Sequence, residues 1–190
     1  MNNPYYIFPY QFQPYHQYAN VPLYTDVRHP APWTIPNHWN RTCACQSPKG
    51  KIKLEAKDYG AKPFTVNINE AAKQNDTYRT ALWTGKHFQV TLMSLKPGED
   101  IGLEIHPEID QFLRIEQGQG IVQMGKQKDH LNFVRNVQDD FAIFIPAGTW
   151  HNVTNTGNIP LKLYSIYAPP QHPFGTVHIT KAQALAEEND

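Results

Sequence analysis

Gly98-Glu99-Asp100-Ile101-Gly102-Leu103-Glu104-Ile105-His106-Pro107-Glu108-Ile109-Asp110-Gln111-Phe112-Leu113-Arg114-Ile115-Glu116-Gln117-Gly118 is the stretch that decides how this chain is read. Side chains on an extended strand alternate between its two faces. Over Ile101 to His106 this places Ile101, Leu103 and Ile105 on one face and Gly102, Glu104 and His106 on the other. In the next strand, Gln111 to Glu116, Gln111 falls with Leu113 and Ile115, opposite Phe112, Arg114 and Glu116. A polar residue sharing a face with two aliphatics belongs inside, so Gln111 is expected to point inward and Arg114 outward. The polar face of the first strand either looks into water or lines an interior site.

Downstream, Pro146-Ala147-Gly148-Thr149-Trp150-His151-Asn152-Val153 puts a tight turn after the apolar run Phe141-Ala142-Ile143-Phe144-Ile145, which is expected to be a strand buried on both faces. The turn delivers His151 to the start of the following strand. An unpaired buried polar group costs on the order of 1 to 3 kcal/mol, and more if charged. A cation shared by Glu104, His106, Gln111 and His151 satisfies all four.

The rest of the chain supports one all-β domain. Period-two alternation recurs in Tyr78 to Trp83, Phe88 to Leu95, Gly120 to Met124 and Leu161 to Tyr167, broken by turns such as Lys96 to Asp100 and Gln117 to Gly120. Short strands at this spacing indicate an antiparallel sandwich or barrel. A short helix is expected at Asn69 to Asn75, with Asn69 as its N-cap. The chain divides into a Pro/Tyr-rich arm (1–45), a linker with the helix (46–76), the barrel (77–170) and a C-terminal extension (171–190). Within the first 40 residues lie Pro4, Pro9, Pro14, Pro22, Pro30, Pro32 and Pro36, six tyrosines, and only Asp26 and Arg28 as charges. Such proline spacing favours extended backbone.

Seventeen Lys and Arg balance seventeen Asp and Glu over 190 residues, with no block of like charge. This argues against nucleic acid or an anionic membrane as partner. No run reaches the roughly 18 apolar residues of a membrane span, and no secretory leader is evident. A soluble, cytoplasmic protein is expected. Cys43 and Cys45 are awkwardly spaced for a mutual disulfide, and a lone Cys-x-Cys lacks the second pair of a structural zinc site. They read as reduced thiols in a loop.

The stretch from Gly98 to Gly118 resembles cupin motif one, G(X)5HXH(X)3,4E(X)6G, at Gly98, Glu104, His106, Gln111 and Gly118. Motif two, G(X)5PXG(X)2H(X)3N, is matched at Pro146, Gly148, His151 and Asn155. Glu104 replaces the usual first histidine, Gln111 the usual glutamate, and Asp140 the glycine that begins motif two. The resemblance implies a double-stranded β-helix (jelly-roll) barrel and one divalent metal ion held by Glu104, His106, Gln111 and His151. Every replacement keeps a lone pair and the set keeps one negative charge, so a working site is expected. Mixed nitrogen and oxygen donors suit zinc, manganese, iron, cobalt or nickel. Runs at Leu82 to His87, Pro146 to Val153 and Tyr164 to Pro170 are similar to those of small bacterial cupins labelled mannose-6-phosphate isomerase-like.

That similarity implies a metal-dependent isomerase or lyase acting on a small oxygenated, sugar-like molecule in the barrel, with dioxygenase chemistry less favoured. Glu108 and Tyr164 are the catalytic candidates beyond the metal ligands. Asp110 and Tyr167 stand beside them. A phosphosugar would require basic residues at the pocket, for which Arg79, Lys86 and Arg114 are available. His172 and His178 read as surface or satisfied loop histidines. Ile101, Leu103, Ile105 and Phe112 are expected to face away from the pocket and to need cover from the arm or from a second subunit, so a homodimer is expected. The alternative is a non-catalytic protein of the spore coat or another surface assembly, in which the metal stabilises the barrel and the tyrosines and cysteines of the arm permit cross-linking.

Overall fold

The computed structural model describes residues 54–187. The arm 1–45, with Cys43 and Cys45, lies outside the described residues. Helix α1 (Ile68–Gln74) precedes nine strands: β1 (Arg79–Thr84), β2 (Gln89–Leu95), β3 (Asp110–Gln117), β4 (Gln119–Gly125), β5 (Phe133–Gln138), β6 (Ala142–Ile145), β7 (Trp150–Asn155), β8 (Leu161–Ala168) and β9 (Val177–His178). Helix α2 (Lys181–Glu187) follows. The cap of α1 is Asn67 rather than Asn69: its extended backbone lets its side chain accept from the Glu70 N–H at 3.2 Å. Asn69, inside the helix, instead donates to the buried carboxylate of Glu116 on β3.

A six-stranded sheet, ordered β6-β3-β8-β2-β1-β9, faces a three-stranded one, β5-β4-β7, and all pairings are antiparallel. The core forms between them. Met93, Leu95, Leu113, Ile115, Ile143, Ile145, Leu161 and Leu163 of the larger sheet meet Val122, Met124, Val137 and Val153 of the smaller. The alternating strands predict an antiparallel sandwich or barrel, and the arrangement is the double-stranded β-helix that the motif resemblance implies. On the outer face of the larger sheet, Ala71 and Ala72 of α1 pack with Leu82, Leu92, Val90 and Tyr164. Glu116, with no exposure, is there paired with Arg114, which also reaches Asp140 at 2.5 Å.

Two strand expectations are corrected. The run Phe141 to Ile145 is not buried on both faces: β6 is the edge of its sheet, Ile143 and Ile145 are buried, and Phe144 is 70% exposed. An apolar run does not distinguish a doubly covered strand from an edge strand with an uncovered oily face.

The segment Ile101 to His106 is not a regular strand, and its parity differs from simple alternation. It runs beside β7, with Ile101 N–H donating to Val153 O at 3.1 Å and Glu104 exchanging backbone hydrogen bonds with His151 at 3.0 and 3.1 Å. Three residues on this segment thus span two on β7. The extra residue is accommodated as a bulge at Gly102, whose φ of +93° lies where glycine is favoured. In consequence Ile101 is buried in the core opposite Val153, while Glu104 also turns inward opposite His151. Leu103 is left exposed and Ile105 half-buried. Ile101 therefore does not belong to an outward face that needs cover.

Candidate metal centre

The bulge and the turn before β7 bring three side chains to one point. Glu104 Oε1 lies 3.2 Å from His151 Nε2 and 3.4 Å from His106 Nε2, and the ligand atoms of all three residues fall within 4.8 Å of one another. His151 has no exposure, His106 is 7% exposed, and the Glu104 side chain 19%. The other ring nitrogen of His151, Nδ1, lies 2.9 Å from the Thr149 carbonyl. A carbonyl only accepts, so Nδ1 carries the hydrogen, and in the neutral ring Nε2 presents a lone pair to the carboxylate. Two lone pairs facing each other require a proton or a cation between them. The cluster is thus capable of holding a metal ion.

Where a proton rather than a metal ion lies between the rings and the carboxylate, burial pushes the Glu104 carboxyl up, but the hydrogen bonds then donated by His106 and His151, and the charge those rings then carry, outweigh it and hold the group at about 2. His106 is braced by the edge of Tyr167, ring centroids 5.6 Å apart. Gln111 is the cross-strand neighbour of Tyr167 and points inward, 3% exposed. Its amide nitrogen donates to Ser165 Oγ at 3.2 Å, while its oxygen is buried without a hydrogen-bond partner. An orphaned amide oxygen fits a fourth ligand, since hard cations take oxygen donors.

The family model for the cupin domain matches residues 91–167. Uncharacterized protein YrkC of Bacillus subtilis (strain 168) is 67% identical over 184 residues, covering 95% of this chain and 98% of that protein. The chain is a cupin. Uncharacterized protein L612 of Acanthamoeba polyphaga mimivirus is 44% identical over 122 residues, 64% of this chain and 74% of its own length. The crystal structure of BH2720 from Bacillus halodurans is similar with a TM-score of 0.68 and 68% identity, over 68% of this chain and 98% of that one.

Two motif positions of this cupin, one a departure and one a match, have structural explanations. Asp140, where motif two has glycine, adopts a φ of +69°, the left-handed backbone glycine supplies freely, and its carboxylate is held by Arg114. Asn155, the last motif position, is a fastener rather than a ligand: its Nδ2 donates to Leu95 O and Ile159 O, and its Oδ1 accepts from Gly157.

Three further sequence readings change. Tyr164 lies on the outer face of β8 against Phe112, away from the triad, because residues three apart on a strand face opposite ways; the inward tyrosine is Tyr167. Glu108 is exposed in its turn and does not line the cavity beside the triad. Asp110 accepts from the Ala147 N–H at 2.9 Å, which ties the two motif turns together.

His172 and His178, by contrast, are not surface histidines. Together with Arg79, Glu104, His106 and Glu187 they line a cavity of about 360 Å³ over the triad. His178 is 4% exposed, and its Nε2 lies 2.8 Å from Glu187 Oε2 on α2. His172 is half-buried with its ring edge on Tyr167, 5.1 Å between centroids. Burial, reinforced by the Arg79 charge, pushes its imidazole down to about 3. Neither histidine belongs to a motif. What the sequence did offer was the pairing of β9 with β1, which a two-residue strand signals too weakly to read.

Proposed function

We propose that this cupin is a metal-dependent isomerase or lyase acting on a small, polyoxygenated molecule. Glu104, His106, His151 and Gln111 hold one divalent ion, which when bound supplies a Lewis acid that polarises a substrate oxygen. The observation that carries the reading is the contact of the Glu104 carboxylate with the Nε2 lone pair of His151, whose tautomer Thr149 fixes. The protein's own residues supply orientation and a proton acceptor. Tyr167 packs its edge against the ring of His106, and the Ser165 hydroxyl accepts from the Gln111 amide, whose oxygen is buried without a hydrogen-bond partner.

Isomerisation and elimination both begin by removing a proton from carbon next to a polarised oxygen. Among the residues lining the cavity, His178 is built for this. Glu187 accepts from its Nε2, which leaves Nδ1, buried and without a hydrogen-bond partner, as the base. The fold supports a second element of this reading: Phe133, Phe141 and Phe144, 42%, 46% and 70% exposed, surround one hollow on β5 and β6 and are proposed to meet a second copy of the chain. Sedimentation of Phe144→Glu beside wild type tests this, with a monomeric variant expected and an unchanged mass contradicting it.

The function is tested by measuring bound metal by mass spectrometry in wild type, Glu104→Ala and His151→Ala, and by screening sugars and sugar acids for turnover. One equivalent of metal in wild type, lost in both variants together with turnover, supports the proposal. Wild-type protein that takes up no divalent ion overturns it.

A further inference from the structure

We propose that Asp100, held by Lys181 of α2, is the positioning residue that aims Glu104 at the metal, so that a C-terminal segment beyond the matched cupin domain completes the metal centre. This rests on the metal centre proposed above and names what holds one of its ligands in place.

Glu104 is carried on a segment that packing does not fix. The backbone is anchored to β7 on both sides of the bulge: Asp100 forms a bridge with Thr154 and Ile101 donates to Val153, and then Glu104 pairs with His151. Gly102 and Leu103 lie between these anchors. Among the described residues, a Cβ at Gly102 would meet nothing within 4 Å, and Leu103 is exposed. Glycine has the widest choice of backbone conformation, so hydrogen bonds have to select the one adopted here. Asp100 supplies that selection: its Oδ1 accepts from the Gly102 N–H at 2.6 Å, an Asx turn closed across the bulge. The buried Tyr78 hydroxyl steadies the same corner, donating to Ile101 O at 2.9 Å and Asp100 O at 3.1 Å. A metal site accepts ligand distances within only about 0.2 Å of ideal. Glu104 follows Gly102 so closely that a change of backbone at the bulge displaces its carboxylate by more than that.

The same Asp100 oxygen accepts from Lys181 Nζ at 2.7 Å. Lys181 is set in place by its own segment. Thr180 and Gln183 form a capping box: the Gln183 N–H donates to Thr180 Oγ1 at 3.4 Å, and the Thr180 and Ile179 N–H groups donate to Gln183 Oε1 at 3.3 and 2.7 Å. Ala184, 2% exposed, anchors α2 in the core cluster that also holds Tyr78 and Ile101. A cation in the first turn of a helix opposes the helix dipole, so Lys181 does not serve α2 itself. With side chains 25% and 28% exposed, the ion pair is also of the partly solvated kind that contributes little to stability. Its place is explained by the side chain it orients. The cupin family model ends at residue 167, and α2 lies beyond it. The helix thus touches the site twice, through Lys181 on Asp100 and through Glu187 on His178.

Zinc affinity is measured by chelator competition on the full chain, at a temperature where each variant is folded, and the visible spectrum of cobalt-loaded protein reports the ligand geometry. Asp100→Ala is expected to weaken zinc binding about tenfold, as loss of a residue that orients a metal ligand does, and to change the cobalt spectrum. Asp100→Asn keeps the acceptor for Gly102 and is expected to restore the wild-type spectrum and a zinc affinity within about threefold of wild type. Lys181→Met is expected to weaken zinc about threefold, the size of one partly solvated ion pair. A role in fold stability alone would lower the urea midpoint and leave zinc affinity and cobalt spectrum unchanged. Wild-type zinc affinity in folded Asp100→Ala overturns the proposal, as does an Asp100→Asn variant no better than Asp100→Ala. Should Asp100→Ala not fold, Lys181→Met decides, and unchanged zinc affinity in it overturns the positioning. Absence of bound zinc from wild type contradicts the metal centre instead. The ring NMR signals of His106 and His151 in metal-free protein then decide the positioning: it holds if they shift in Asp100→Ala and return in Asp100→Asn, and it fails if Asp100→Ala leaves them unchanged.

Discussion

Replacing Glu104 by glutamine keeps the shape of the side chain and removes only its charge, so its effect on stability isolates what the two imidazoles do to the carboxylate. The carboxyl titrates at about 2 in the fold, against an ordinary value of 4.5. A depressed acid contributes stability above its unfolded value and loses it as pH falls through its folded value. At about 1.36 kcal/mol per pKa unit, the 2.5-unit depression contributes about 3.4 kcal/mol at pH 7 and about 1.4 kcal/mol at pH 3. The amide keeps an acceptor oxygen, so the measured loss at pH 7 is expected nearer 2 to 3 kcal/mol, roughly one hydrogen bond's worth being retained. Urea unfolding of wild type and Glu104→Gln in EDTA at pH 7 and pH 3 gives both differences. The two curves should approach each other as the pH drops. A gap that stays constant between the two pH values would refute the reasoning, since the carboxylate would then not be held by the histidines. The same pair tests the metal. A saturating ion at one hundred times its Kd stabilises by about 2.7 kcal/mol, a gain expected in wild type and largely lost in the variant.

Three further outcomes follow from the same geometry. Gly102→Ala meets no atom within 4 Å, yet its φ of +93° is strained for any side chain, so a loss of about 1 to 2 kcal/mol in urea unfolding is expected, with weakened zinc binding because the bulge aims Glu104; full stability would argue against the bulge. Arg114→Met leaves the Glu116 carboxylate, with no exposure, without its cation and with Asn69 as its remaining donor, and chemical denaturation should show a lower midpoint than wild type. His172, pushed down to about 3, is neutral in the fold where the unfolded chain protonates, so wild type loses stability as pH falls below 6.5; by pH 5 this amounts to about 2 kcal/mol, and His172→Gln should lack that part of the acid slope in metal-free protein.

Much of the site was legible because it depends on spacing. Glu104, His106 and His151 sit in turns and strand ends whose separations the motifs preserve, and the inward direction of Gln111 follows from its parity with Leu113 and Ile115, all buried. Tyr164 and Tyr167 show parity read too loosely: three residues apart on β8, they face opposite ways, and the inner one is Tyr167. Glu108 was hard to orient from the sequence for a different reason. A carboxylate in a turn has no periodicity to orient it, and this one faces solvent.

By itself the sequence determined the class of fold, the order of its main strands and the grouping of Glu104, His106 and His151 into a cluster capable of holding a metal ion, because alternation and motif spacing are local properties of the chain. Only the tertiary structure decided how the cluster is built and what stands over it. The bulge at Gly102 lets Ile101 enter the core and Glu104 enter the site along one segment, a result that simple alternation forbids. Arg79, His172, His178 and Glu187 meet only because β9 closes onto β1 and α2 follows it, a contact between residues about a hundred positions apart that no local pattern encodes.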